Sequence, residues 1–205
     1  MILGVTGGIA AGKSLVSELF RQLGAEVVSA DQLAREAVAP GSPVLHRLVA
    51  QFGEEILTPQ GELDRKVLAE RIFADPTARQ HLNRIIHPAI AALAEERLQA
   101  AARRSSLVVY EAPLLFEAGA EKRVDAVLAV RIDDELQLQR LMTRDGLSRS
   151  QAQARVAAQL SQEEKVGRAD FVIDNSGSPT VTEAQVRGIY RRLVPSAVPD
   201  PAENG

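Results

Sequence analysis

The chain has 205 residues, enough for one large domain or one domain with an inserted lobe. Aromatics make up 3% and cysteine is absent, so the core rests on Leu, Val, Ile and Ala, while disulfides, thiolate metal sites and a cysteine nucleophile are excluded. A formal net charge of −3 argues against a protein built to grip a nucleic-acid backbone. The start, MILGVTGG, has neither the basic flank nor the long apolar run of a signal peptide, and no apolar stretch approaches about 18 residues. A cytoplasmic protein with no membrane contact is expected.

Short apolar runs alternate with helical patterns. ILGV (2–5) predicts a strand, and Val16, Leu19, Phe20 and Leu23 mark one face of a helix that Gly24 is placed to end. EVVSAD (26–31) predicts a second strand, followed by a short helix around QLAREAV and a stop at PGSP. From 43 to about 104 the pattern is helical throughout. Apolar stripes run through Val44, Leu45, Leu48, Val49 and Phe52, through Val67, Leu68, Ile72 and Phe73 behind an Asp64 cap, and through Leu82, Ile85 and Ile86. His87-Pro88 is read as opening the next helix. Strands resume with SLVVYEAP (106–113), VDAVLAVRI (124–132) and ADFVIDN (169–175). Between the last two lie a helix capped by Asp133 and another opened by the capping box Ser148-x-x-Gln151. A final helix over about 181–193 precedes a tail, 195–205, whose composition predicts disorder.

Short apolar strands separated by helices predict an α/β fold, a five-stranded parallel sheet with helices on both faces. The helical stretch at about 43–104 reads as an inserted lobe, and 145–168 as a smaller helical lid. The core would then be 1–42 with 105–194, one domain in all.

The residues after the first strand carry the chemistry. Gly7-Gly8-Ile9-Ala10-Ala11-Gly12-Lys13-Ser14 fits G-x-x-x-x-G-K-[ST] between a strand and an amphipathic helix. A phosphate chain is cradled by backbone N–H groups that must converge on one concavity, and large side chains would block the approach. Lys13 would reach the outer phosphates, and the Ser14 hydroxyl would ligate Mg²⁺. The plain alternative is a glycine-rich turn with an exposed lysine; strand, loop and helix in order favour a nucleoside triphosphate. Asp31 ends the second strand, which this reading puts close to that loop. It could take the proton of an acceptor hydroxyl or cap the helix that follows. Arg35, one turn on, could pair with Asp31 or with an acceptor phosphate.

The ordered set GVTGGIAAGKS, VSADQLAREAVAPG, IHP, EAPLLFEAG, RLMTRDGLS, AAQ and DFVIDNSG closely resembles the dephospho-coenzyme A kinase family, from Met1 to about Arg192. The resemblance implies a P-loop kinase that uses ATP to phosphorylate the ribose 3′-hydroxyl of dephospho-CoA, the last step of coenzyme A synthesis. It makes residues 10 to 15 (Ala10, Ala11, Gly12, Lys13, Ser14 and Leu15) with Gly8 the ATP loop, Asp31 the base, and the inserted lobe the receiver of the CoA moiety. The family usually has Gly-Ser or a near equivalent at Ala10-Ala11, Thr at Leu15, and Asp-Ala-Asp where this chain reads Ser29-Ala30-Asp31. A P-loop kinase for another nucleoside or nucleotide shares the loop and stands as the alternative.

With that pattern, Arg140 and Arg144 are expected to clamp the transferring phosphoryl group as a lid closes, Arg140 foremost. His87 could bind the acceptor or merely pack. Glu111 ends the third strand, where a carboxylate often holds the Mg²⁺ shell. Pro113, Leu114 and Leu115 offer an apolar shelf for the acceptor, and Asn175 could contact the ATP adenine or only form a turn. The expected partners are ATP and dephospho-CoA, in a monomer or small homo-oligomer.

Overall fold

The computed structural model describes residues 1–195; all but the first residue of the expected tail lies outside the described residues. The strands are β1 (Ile2–Gly7), β2 (Glu26–Ser29), β3 (Val108–Glu111), β4 (Ala126–Arg131) and β5 (Phe171–Asp174). They form one sheet in the order β2-β3-β1-β4-β5, and the β1–β3, β1–β4 and β4–β5 pairs are parallel. β2 is thus an edge strand, one place removed from β1.

The described residues divide into two compact units, Met1–Val28 with the residues from Leu98 onward, and Ser29–Arg97. In the first, Leu3 and Val5 of β1 turn to one face of the sheet. There they join Val16 and Phe20 of α1 (Lys13–Gln22) and Val186 and Ile189 of α9 (Pro179–Leu193) in a closed apolar core. Gly4 turns to the other face, where Leu115 and Val124 lie so close that an added Cβ would touch both at 3.0–3.1 Å. The helices α6 (Asp134–Asp145), α7 (Arg149–Ala157) and α8 (Gln162–Gly167) follow β4. Asp133 accepts from the Glu135 and Leu136 amides to cap α6, and Ser148 with Gln151 closes the capping box of α7.

The second unit holds α2 (Ala30–Glu36), α3 (Pro43–Phe52), α4 (Arg65–Ala74) and most of α5 (Pro76–Ala102). Val38, Leu48, Phe52, Ile56, Leu68 and Leu82 form its own core. Asp64 caps α4 through the Lys66 and Val67 amides at 3.0 and 3.1 Å. The stretch is not helical throughout: a 3-10 turn at Glu54–Ile56 and a Leu57–Leu63 antiparallel bridge intervene. Nor does His87-Pro88 open a helix. α5 is one helix of 27 residues with Pro88 inside it. Proline removes one backbone bond and crowds the preceding turn, but good helix formers such as Leu82 before it and the Ala-rich run after it carry the helix across.

Candidate active site

The first unit gathers the phosphate-loop residues. Gly12 is the N-cap of α1 at φ +95°, a left-handed conformation natural to glycine, and a Cβ there would strike the Asn175 carboxamide. Ala10 also has positive φ, 60°, alone among the non-glycine residues described. The family's usual glycine at this position has a physical reason, and alanine bears a cost of about 1 kcal/mol. Ala11 does not face the cleft. It is fully buried with Val16 and Phe20, so the missing hydroxyl there is replaced by core packing, while its carbonyl accepts from Asn175 Nδ2 at 2.8 Å.

Lys13 is 8% exposed, and its Nζ donates to the Gly7 and Gly8 carbonyls at 3.2 and 2.9 Å, which holds the ammonium at the loop. Ser14 Oγ donates to Glu111 Oε1 at 2.8 Å. The β1–β3 register, Val5 opposite Glu111, brings that carboxylate beside the loop. A hydroxyl and a carboxylate oxygen at this separation suit a hard divalent cation. Among the described residues no cluster of three or more acidic, His or Cys side chains could hold a metal. An ion here would take its remaining oxygens from phosphates and water, the usual habit of Mg²⁺.

A cleft of about 730 Å³ opens over the loop, lined by Ala10, Gly12, Lys13, Ser14 and Leu15 from the loop side and Leu136, Gln139, Arg140, Thr143 and Arg144 from α6, with Asn175 after β5. Its lining carries three cations and no carboxylate, a field suited to polyphosphate, and Leu15 and Leu136 supply apolar surface. Gly8 lies beneath the loop, where an added Cβ would meet Gln137 Nε2 at 2.6 Å. Leu136, Gln139 and Thr143 were missed by the sequence reading, although the series 136-140-144 and 136-139-143, stepping by three and four, put all five residues on one helix face.

The two arginines differ in company. Arg140 donates to the Asn175 carbonyl at 3.5 Å. Arg144 makes two bonds to Asp145, at 2.7 and 3.2 Å, and Arg155 of α7 adds a third to the same carboxylate at 2.7 Å. The hydrogen bond from Arg144 holds the Asp145 carboxyl below the usual carboxylate range, and in turn raises the Arg144 guanidinium. Asn175 is 3% exposed, and its carboxamide is engaged by Ala11 on one side and by the Thr182 hydroxyl, at 2.9 Å, on the other.

Of the apolar shelf, Leu115 is fully buried in the core, and Leu114 alone is open, at 49%. The Pro113 carbonyl accepts from Thr6 Oγ1 at 3.3 Å and Lys165 Nζ at 2.9 Å. Lys165, 1% exposed, also pairs with Glu117 at 2.9 Å. In the second unit, Ser29 caps α2 by accepting the Gln32 amide at 3.4 Å. Asp31, in the first turn of α2, is therefore not its cap. Asp31 and Arg35 are exposed and form no ion pair with each other, and His87 is exposed in mid-α5.

The dephospho-CoA kinase family model matches residues 1–180. The chain belongs to the dephospho-CoA kinase family. A dephospho-CoA kinase of Syntrophotalea carbinolica is 55% identical over 207 residues, covering 100% of this chain and 98% of that one. One from Geobacter sulfurreducens is 54% identical over 95% of this chain and 99% of its own length. Among solved structures, dephospho-CoA kinase from Campylobacter jejuni superposes with a TM-score of 0.74 at 31% identity, covering 96% of this chain and 98% of that one. A shikimate kinase from Acinetobacter baumannii, with a TM-score of 0.54 at 15% identity, shares the fold alone. The chain is a kinase with ATP as co-substrate.

Proposed function

We propose that the chain transfers the terminal phosphoryl group of ATP to the ribose 3′-hydroxyl of dephospho-CoA, forming coenzyme A. The observation that carries this reading is the cleft over the glycine loop, with Lys13, Arg140 and Arg144 and no carboxylate in its lining. It lies in a chain matched by the family model over residues 1–180.

In this reading the N–H groups of residues 10–15 cradle the phosphates, with the positive end of α1 behind them. Lys13 neutralises the outer phosphates. Arg140, with Arg144 behind it, stabilises charge that develops on the transferred group. Ser14 and Glu111 would hold Mg²⁺, which when bound neutralises phosphate charge and fixes the phosphate chain's geometry. Asp31 takes the proton of the acceptor hydroxyl; its exposure and the separate cap at Ser29 leave it available for that task. Arg35, His87 and the helical stretch 43–104, with Pro113 and the open face of Leu114, recognise the acceptor, and 145–168 serves as the lid. The reading includes a cytoplasmic enzyme, monomeric or a small homo-oligomer. No helix among the described residues is long and apolar enough to cross a membrane.

The experiment is steady-state phosphorylation of dephospho-CoA, AMP and adenosine at fixed Mg-ATP, with the phosphorylated position read by NMR. Remote binding energy from the pantetheine arm orients the ribose, so the truncated acceptors should lose about 10²-fold or more in kcat/KM. Equal use of AMP or adenosine, or phosphate at the 5′ position, would make this a general nucleoside or nucleotide kinase.

A further inference from the structure

Ile9 stands at the tip of the phosphate loop, and side chains from far along the chain take both of its backbone polar groups. Gln137, near the start of α6, donates from Nε2 to the Ile9 carbonyl at 2.7 Å. Gln159, in the connection between α7 and α8, accepts the Ile9 N–H on Oε1 at 2.9 Å. Gln137 is 1% exposed, and the bare backbone of Gly8 is what lets its amide approach.

The next residue explains why such a clamp matters. The Ile9 carbonyl belongs to the same peptide as the Ala10 nitrogen, so holding that peptide plane constrains the φ of Ala10, which is +60°. An L-residue persists there only where its surroundings over-determine it. Glycine would need no such help; alanine does. Because the Ile9 N–H is engaged by Gln159, its part in the loop is mechanical.

We propose that Gln137 and Gln159 are positioning residues: they hold the phosphate loop in its nucleotide-binding form, and Gln159 makes that form depend on the segment between α7 and α8. The inference rests on the reading of the cleft as the ATP site, and it adds a built-in dependence of the loop on the lid region.

The test uses the full chain with Gln159→Ala, whose side chain is half-buried and whose loss leaves the core intact, and Gln137→Met, which keeps length but removes the donor. Amide exchange by NMR on the nucleotide-free protein should find the Ile9 N–H protected in the parent and unprotected in Gln159→Ala. Mg-ADP should bind each variant about tenfold more weakly, the worth of one well-placed hydrogen bond, with the dephospho-CoA KM within about twofold. Adding Ala10→Gly to Gln159→Ala should recover much of the nucleotide affinity, a rescue that a general loss of stability would not show. Equal Ile9 protection in parent and Gln159→Ala, or unchanged Mg-ADP affinity, overturns the clamp. A parent that binds no Mg-ADP would instead overturn the reading of the cleft, and the exchange result would still judge the clamp by itself.

Discussion

Ser14, in the first turn of α1, donates its hydroxyl to Glu111 at the end of β3 across 2.8 Å, although 97 residues separate them in sequence. The pairing follows from β3 lying directly beside β1 in the sheet. It sets two hard oxygen donors side by side at the mouth of a cationic cleft.

Replacing Glu111 by Gln keeps an acceptor for Ser14 and so should keep the fold, but it removes the negative charge that favours a divalent cation. The Mg²⁺ concentration giving half-maximal rate should rise about tenfold or more, the usual effect of losing a supporting carboxylate. A titration of rate against free Mg²⁺ at saturating ATP measures this. An unchanged midpoint would reduce Glu111 to an anchor for Ser14.

Asp31→Asn tests the base. Ser29 caps α2, so the substitution should move the melting temperature by only about 1–2 °C. An amide cannot accept the acceptor's proton, and kcat should fall by about 10² or more while ATP binding is retained. Calorimetric ATP binding beside steady-state rates separates the two effects. Lost ATP affinity with kcat intact would show Asp31 to be structural.

Local patterns in the sequence reveal the loop, because its glycines, Lys13 and Ser14 are contiguous and lie between a strand and a helix. They also reveal Arg140 and Arg144, four residues apart on one helix. Pairings between distant segments are a different matter. Strand order decides that Glu111 meets Ser14 and that β2 lies at an edge, and nothing local encodes strand order. Gln137 and Gln159 carry no charge and no conspicuous spacing, and their roles arise from where Ile9 lies in space. Ala10 shows the same limit: it reads as a harmless small residue until its φ is known. Pro88 misleads in the opposite direction, since a signal that usually bounds a helix is overridden by the sequence around it.

The ion pair between buried Lys165 and Glu117 predicts an acid dependence of stability. Burial pushes the Glu117 carboxyl up, but hydrogen bonds from Lys165 and from backbone amides, including that of Leu160, outweigh it and leave the carboxyl below its ordinary value of 4.5. A group with a lowered folded pKa binds fewer protons folded than unfolded. Its stabilising contribution is therefore complete above about pH 4.5 and is lost as pH falls through the folded value. Melting temperatures measured from pH 6 down to 3 should fall more steeply for the parent than for Glu117→Gln, whatever their offset at neutral pH. Parallel curves would mean that the pair does not titrate with unfolding.

The last prediction separates the two arginines of the cleft. Catalytic electrostatics depend on charge left uncompensated where the transferring group develops its own. Arg144 shares its guanidinium with Asp145 through two hydrogen bonds, and the same carboxylate also takes Arg155. Much of its field is neutralised locally, while the bond from Arg155 to Asp145 is what joins the end of α6 to α7. Arg140 has a neutral carbonyl, that of Asn175, as its hydrogen-bond partner. Arg140 borders the same cleft as Lys13 and Ser14. Arg140→Ala should therefore lower kcat by about 10²-fold or more, the usual cost of removing one preorganised charge-stabilising group. Arg144→Ala should lower it by about tenfold or less. Asp145→Asn, which weakens the local compensation, should leave kcat within a few-fold. Single-turnover rates at saturating ATP and acceptor isolate the chemical step from product release. Should Arg144→Ala prove as damaging as Arg140→Ala, the charge acting on the transferred phosphoryl group must be shared between them, and the Asp145 bridge would then serve to aim Arg144.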